Sequence, residues 1–112
     1  MLNSGDVVRL DLGTPIGSEA GMVRPAVVVT AQQVLQANPR VVQVVPLTRT
    51  LRGWASEVLI RPDQATGIAD DSSAQCQHIR AVSTERILER TGNVGVVHLA
   101  RIRETVAVLI DL

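Results

Sequence analysis

The sequence has no lysine, phenylalanine or tyrosine, and Trp54 is its only aromatic residue. Its core must therefore be aliphatic and dominated by β-branched side chains. Cysteine is nearly missing as well. Cys76 stands alone, which excludes an internal disulfide and with it a stapled secreted scaffold. His, Cys and carboxylates do not recur at metal-ligand spacing, so no metal site and no other cofactor is expected. No apolar run approaches the ~20 residues of a membrane span. Met1-Leu2-Asn3-Ser4-Gly5-Asp6 lacks the basic end and apolar stretch of a signal peptide. No membrane role is expected, and a reducing cytoplasm is the expected location.

An excess of charge is absent too: eleven cations meet eleven anions. A chain acting only through nonspecific attraction to phosphate would be basic. The charges are nevertheless uneven. Every cation is Arg, whose planar fork binds phosphate in a way Lys cannot copy. Arg40, Arg49, Arg52 and Arg61 face Glu57 alone in one stretch, whereas Asp63, Asp70 and Asp71 follow without a cation. A locally basic site on a neutral body fits this pattern.

What remains is 112 residues, 46% of them hydrophobic. That suits a single domain over residues 1–112, and a chain of this size buries roughly two-thirds of its unfolded surface, enough to fold without a staple. Asp6 to Leu12 alternates, with Val8, Leu10 and Leu12 on one face and Val7, Arg9 and Asp11 on the other, as in a half-buried strand. Gly13 to Gly21 reads as a mobile loop. Pro25 to Thr30 reads as a central strand, and Val41 to Leu47 as the next, with Pro46 near its end. Thr48 to Ala55 is a second loop, Glu57 to Arg61 a strand and Pro62 to Asp71 an acidic loop. Ser73 to Val82 predicts one further strand, which would set Cys76 and His78 on one side and Gln75 and Gln77 on the other. Ser83-Thr84-Glu85 caps a helical turn. Gly92 and Gly95 flank a short extended piece, and Val96, Leu99, Ile102, Val106 and Leu109 recur at helical spacing to the end. The pattern is mainly β: a small barrel with short helices and a C-terminal helix packed against it.

Two residues stand where phosphodiester chemistry could be done. Arg24 sits between a glycine-rich loop and a central strand, and Thr48 sits just after the next strand, so neighbouring strands would project both at one barrel end. A guanidinium can stabilise the charge that grows on a pentacoordinate phosphorus, and a hydroxyl can donate to its oxygens. RNA brings its own nucleophile, the 2′-OH. Spacing alone does not decide the matter: an Arg24 paired to a carboxylate and a Thr48 capping a turn satisfy the same pattern. His78, in a polar stretch, titrates in the range useful for proton transfer, or serves as a structural hydrogen-bonding residue. His98 reads as exposed or packed, and Cys76 as a small core residue.

The run Gly5-Asp6-Val7-Val8, Asp11-Leu12, Gly17-Ser18-Glu19, Arg24-Pro25-Ala26-Val27-Val28-Val29 and Val45-Pro46-Leu47-Thr48 resembles, in order and spacing, the MazF/PemK toxins of type II toxin–antitoxin systems. Glu57-Val58, Gln77-His78-Ile79-Arg80 and Leu109-Ile110-Asp111-Leu112 extend the resemblance over essentially the whole chain. The resemblance implies an SH3-like barrel, a homodimer with single-stranded RNA in a groove along its interface, and an antitoxin whose tail occupies that groove. It implies a sequence-specific, metal-independent endoribonuclease that leaves 2′,3′-cyclic phosphate and 5′-OH ends. The family's catalytic Arg and Thr fall on Arg24 and Thr48. Candidate RNA-binding residues are Ser18, Glu19, Arg49, Arg52, Trp54, Gln77 and His78. The sequence departs from the family at Arg9, where an aromatic is usual, at Thr30-Ala31-Gln32, and at Gln77-His78. The alternatives are a CcdB-like DNA gyrase poison, against which the tryptophan-free ending Ile110-Asp111-Leu112 argues, and a non-catalytic SH3-like binding module.

Overall fold

A computed structural model describes residues 1–112. Strand β1 (Asp6–Asp11) pairs antiparallel with β2 (Val23–Val28), and β2 with β3 (Val41–Thr48). A single turn of helix, α1 (Gln32–Leu35), connects the last two. Then come β4 (Glu57–Ile60), β5 (Ser72–Gln75), β6 (Arg80–Ser83), β7 (Ile87–Asn93) and the terminal helix α2 (Gly95–Leu109). The sheet runs β4-β5-β3-β2-β1-β7, and β6 pairs with β3 beside β5.

The sheet curls so far that its central strands are buried on both faces. Inside the curl of β7, β1, β2, β3 and β6 lie Val8, Leu10, Ala26, Val28, Val42, Val44 and Val82, with Ile87 against them. On the other face Val7, Val27, Val45, Leu47, Val58, Ile60 and Ala74 form a second core, which Leu99 and Ile102 of α2 complete. Val7 is therefore fully buried and not on an outward face as alternation predicts, because the second core, to which β4, the acidic loop and α2 all contribute, lies on that side of β1. On α2 the expected stripe holds only in its middle: Leu99 and Ile102 are buried, but Val96 and Leu109 are exposed at the two ends. No ladder joins β6 to β7, which are linked by a 3₁₀ turn at Thr84–Arg86. The expected barrel is thus a curled sheet whose closure hydrogen bonds do not complete. Ser83 caps that turn as predicted, accepting a hydrogen bond from the Glu85 amide.

The stretch read as one strand from Ser73 to Val82 is two, and the reason lies in β3. Leu47 pairs with Ala74, so an unbroken ladder would set Val44 opposite Gln77. It stands opposite Arg80 instead, three residues further on. Those three, Cys76–His78, form a 3₁₀ turn that takes up the difference. The strand-like alternation of Cys76 with His78 is lost there. Cys76 enters the second core, its Sγ 3.7 Å from the Ala74 carbonyl and 3.8 Å from that of Ile102, while His78 is only partly covered. Pro46 sits at the handover between β5 and β6. A proline cannot donate to a ladder, and on this edge at this point no ladder asks it to.

The extended piece expected between Gly92 and Gly95 is the end of a longer strand. β7 begins at Ile87, and Gly95 already opens α2. Five consecutive exposed or part-exposed residues, Ile87 to Thr91, hide it from an alternation test. The acidic loop packs backbone to backbone on this strand: the Asn93 amide donates to the Ala65 carbonyl at 2.8 Å. Gly67, at φ +68°, and Gly92 allow the approach, since a Cβ on either would enter the main chain opposite, at Thr91 and Thr66.

Gly67→Ala combines a left-handed backbone with that clash and should destabilise the fold by about 2–3 kcal/mol, against about 1 kcal/mol for Gly17→Ala, whose Cβ meets open space; urea unfolding of both variants measures the difference. Burial pushes the Cys76 thiol up to about 11, so the native protein should not react with a thiol reagent at pH 8 and should react once unfolded.

Candidate active site

The register of β2 on β3 pairs Ala26 with Pro46. Continued by two residues, it sets Arg24 across from Thr48, at the point where both strands run out. Thr48 is also paired with Ser73 on its other side. Arg24 and Thr48 both line a cleft of about 690 Å³. The acidic loop walls it through Gly67, Ile68, Ala69 and Asp70, and Arg9 and Thr91 come from β1 and β7.

Both side chains are held, and both keep free donors. Arg24 Nε donates to the Gly21 carbonyl at 2.9 Å, and one terminal nitrogen reaches Gln75 Oε1 at 3.5 Å. No carboxylate lies within ion-pair distance of it. Of the five N–H groups of a guanidinium, most have no partner within the chain. Thr48 Oγ1 accepts a hydrogen bond from the Thr50 amide at 3.1 Å, which leaves its own proton to donate. The strand ends explain this placement. Met22, with φ +64°, turns the glycine-rich loop back so that its amide meets the Gly13 carbonyl, and the Gly21 carbonyl is thereby aimed at Arg24.

Two further cations edge the cleft in exposed pairs, Arg9 with Glu89 and Arg49 with Asp70, each at 3.5 Å. Exposed pairs of this kind contribute little and separate easily. Either guanidinium is thus available to an anionic ligand, at the expense of a weak contact.

A second polar cluster lies two strands away. The Glu57 side chain is only 1% exposed, yet it accepts from Arg52 at 2.5 Å, from Gln77 Nε2 at 2.7 Å and from Ser73 Oγ at 3.1 Å. Burial alone would raise its pKa, but these three donors outweigh it and hold the carboxyl below its usual 4.5. Arg52 in turn lies over the Trp54 ring, 4.2 Å from its centroid. Gln77 Oε1 is buried and has no donor within the chain.

Of the residues singled out in the sequence, then, the cleft gathers Arg24, Thr48 and Arg49. Arg52, Trp54 and Gln77 assemble around Glu57 instead. Ser18 and Glu19 lie on the exposed glycine-rich loop, where Glu19 accepts from the Ile16 amide at 2.9 Å. His78 sits in the 3₁₀ turn, and His98 bonds the Val94 carbonyl at the start of α2. The sequence reading missed Arg9 and Thr91 as cleft residues. Arg9 was legible as an outward position of β1, but Thr91 was not, because β7 itself was not. No cluster of three His, Cys, Asp or Glu side chains is present, and no helix is long and apolar enough to cross a membrane.

Known proteins of the same shape share this architecture. A MazF from Deinococcus radiodurans superposes with a TM-score of 0.82 at 23% identity, covering 99% of this chain and 97% of that one. A mycobacterial endoribonuclease, solved in complex with its cognate antitoxin, superposes with a TM-score of 0.79 at 19% identity, covering 100% and 97%. In sequence, the chain is 34% identical to endoribonuclease MazF9 of Mycobacterium tuberculosis over 100% of its own length and 98% of that protein's. Residues 3–110 match the family described as PemK-like, MazF-like toxins of type II toxin–antitoxin systems. The curled sheet, the terminal helix and this match along nearly the entire sequence place the chain in the MazF/PemK toxin family.

Proposed function

We propose that this toxin is a sequence-specific endoribonuclease that cuts single-stranded RNA without a metal, leaving 2′,3′-cyclic phosphate and 5′-OH ends. The observation that carries the proposal is the opposition of Arg24 and Thr48 in one cleft, with unengaged donors on each. The similarity to an endoribonuclease along the full chain supports it.

The reaction needs little from the protein. The 2′-oxygen attacks the adjacent phosphorus, the bond from phosphorus to the 5′-oxygen breaks, and the proton of the 2′-OH ends on the leaving 5′-oxygen by way of solvent. Charge collects on the non-bridging oxygens. Arg24 meets it with a fixed positive charge, and Thr48 donates its hydroxyl proton to the same phosphate. An arginine stays protonated near neutrality, so electrostatic stabilisation, not base catalysis, is its main contribution. Arg49 and Arg9 exchange their carboxylate partners for flanking phosphates. Ser18, Glu19, Arg52, Trp54, Gln77 and His78 are the proposed contacts to the rest of the RNA.

The partners follow from the same reading. A second copy of the chain is proposed to cover apolar side chains left exposed, among them Val23, Leu51, Leu59 and Leu88. A cognate antitoxin is proposed to occupy the RNA groove, as the antitoxin-bound mycobacterial relative suggests.

Removing either donor should lower the cleavage rate of a purified RNA by about 10²- to 10³-fold. Arg24→Ala and Thr48→Ala, checked for native circular dichroism, test this, with chelator present throughout and the product ends analysed chemically. Full cleavage by a folded Arg24→Ala protein overturns the mechanism, and loss of wild-type cleavage on chelation overturns metal independence. Sedimentation at micromolar concentration should give twice the chain mass; a single-chain mass removes the dimer.

A further inference from the structure

Glu57 is an ionised group that the proposed chemistry leaves unused. Burying a carboxylate costs several kcal/mol of hydration unless donors replace the water. Here three donors do so, yet β4 does not need them to pack, since Val58 and Ile60 already seat it in the core. What Glu57 orders is a loop. Arg52, drawn down to the carboxylate, lies against one face of Trp54. Trp54 remains 53% exposed, so the sole aromatic ring of the chain is fixed in place with surface left over.

The position of this ring matters. Glu57 pairs across β4 and β5 with Gln75, which contacts Arg24. Ser73, which donates to Glu57, stands opposite Thr48. Two strand spacings, about 10 Å, separate β4, which carries Glu57, from β3, which carries Thr48. Because Glu57 neutralises Arg52, the platform offers a flat ring and no free charge, which suits a nucleobase better than a phosphate.

We propose that Trp54 stacks on one base of the bound RNA and that Glu57, acting through Arg52, is the positioning residue that holds this platform at a set distance from the Arg24–Thr48 cleft. This rests on the RNA-cleaving reading above. It adds a subsite and a reason why this chain, with a single ring, can still select a sequence: one rigid stack sets which base falls a defined number of nucleotides from the cut.

Trp54 is its own reporter, since no other residue emits in its range. The probe is an RNA oligonucleotide spanning a mapped cut site, made inert by a 2′-deoxy residue before the scissile phosphate. Its binding should quench Trp54 emission. Scanning an abasic residue along it should find one position that abolishes the quench and weakens binding about tenfold, the size of one lost stack. Trp54→Leu should weaken binding as much, and Trp54→Phe should restore most of it. Glu57→Gln should weaken binding about tenfold in the presence of Trp54 and less than twofold in a Trp54→Leu background. Arg52→Lys, which keeps the charge and loses the fork, should do the same if Glu57→Gln does not fold. A protein that cuts RNA but binds the probe with unchanged emission overturns the inference and leaves the nuclease reading intact. So does an equal effect of Glu57→Gln in both backgrounds, or quenching by the antitoxin chain alone. Failure of the wild type to cut any unmodified RNA overturns the nuclease reading and the subsite with it.

Discussion

Strand β3 changes its outer neighbour partway along, and the surroundings of the candidate site depend on that change. Had the register of β6 continued past Val44, Thr48 would stand opposite Cys76 and not Ser73. Instead the 3₁₀ turn at Cys76–His78 absorbs three residues, β5 replaces β6, and the end of β3 is flanked by Arg24 on one side and by Ser73 on the other. Pro46 marks the handover. The same shift carries Gln75 to within reach of Arg24 and opposite Glu57, so one irregularity supplies Arg24 with its second anchor and places the second polar cluster.

The ion pairs divide by burial, and the division tracks what each could do. Asp6 is fully buried and held by the Asn3 amide, Arg90 and Asn93, which ties the chain start to the strand before α2. Glu57 is buried and held by three donors. Breaking either would strand a charge out of water. The pairs of Arg9 and Arg49 at the cleft are exposed and weak. A chain of zero net charge thus keeps its interior charges locked and its cleft charges exchangeable, and this is how a neutral body could accept a polyanion locally without being basic throughout.

Elements with a strong period were legible in the sequence: β1, the apolar run of β2, β3 with Pro46 near its end, the capped turn at Ser83 and the middle of α2. What was not legible depended on distant partners. The break at Cys76–His78 has no local signal, because it answers a register set by β3. The strand β7 carries Ile87, Leu88, Glu89, Arg90 and Thr91 in no alternating order, and only its pairing with β1 makes it a strand. Val7 reads as outward unless the second core is known to lie over it. For the site, Arg24 and Thr48 were found as residues flanking two strands, but their direct opposition needed the register. Arg52, Trp54 and Gln77 were each noted singly; that a buried Glu57 joins them was invisible, because Glu57 reads as an ordinary outward position of a short strand.

The way Arg24 is held bears on why, in the proposed reaction, an arginine and a threonine could suffice. Its anchors are the Gly21 carbonyl and the Gln75 amide oxygen, both neutral. Neutral anchors fix the direction of the guanidinium without cancelling its field, whereas a carboxylate at ion-pair distance would hold it as well and offset most of the charge a phosphorane needs. The Thr50 amide does the equivalent for Thr48, using a lone pair and sparing the proton. Both groups are therefore oriented before any ligand arrives, at the ends of two paired strands. For a reaction in which the substrate supplies nucleophile and leaving group alike, such prior orientation is the contribution left for the protein to make.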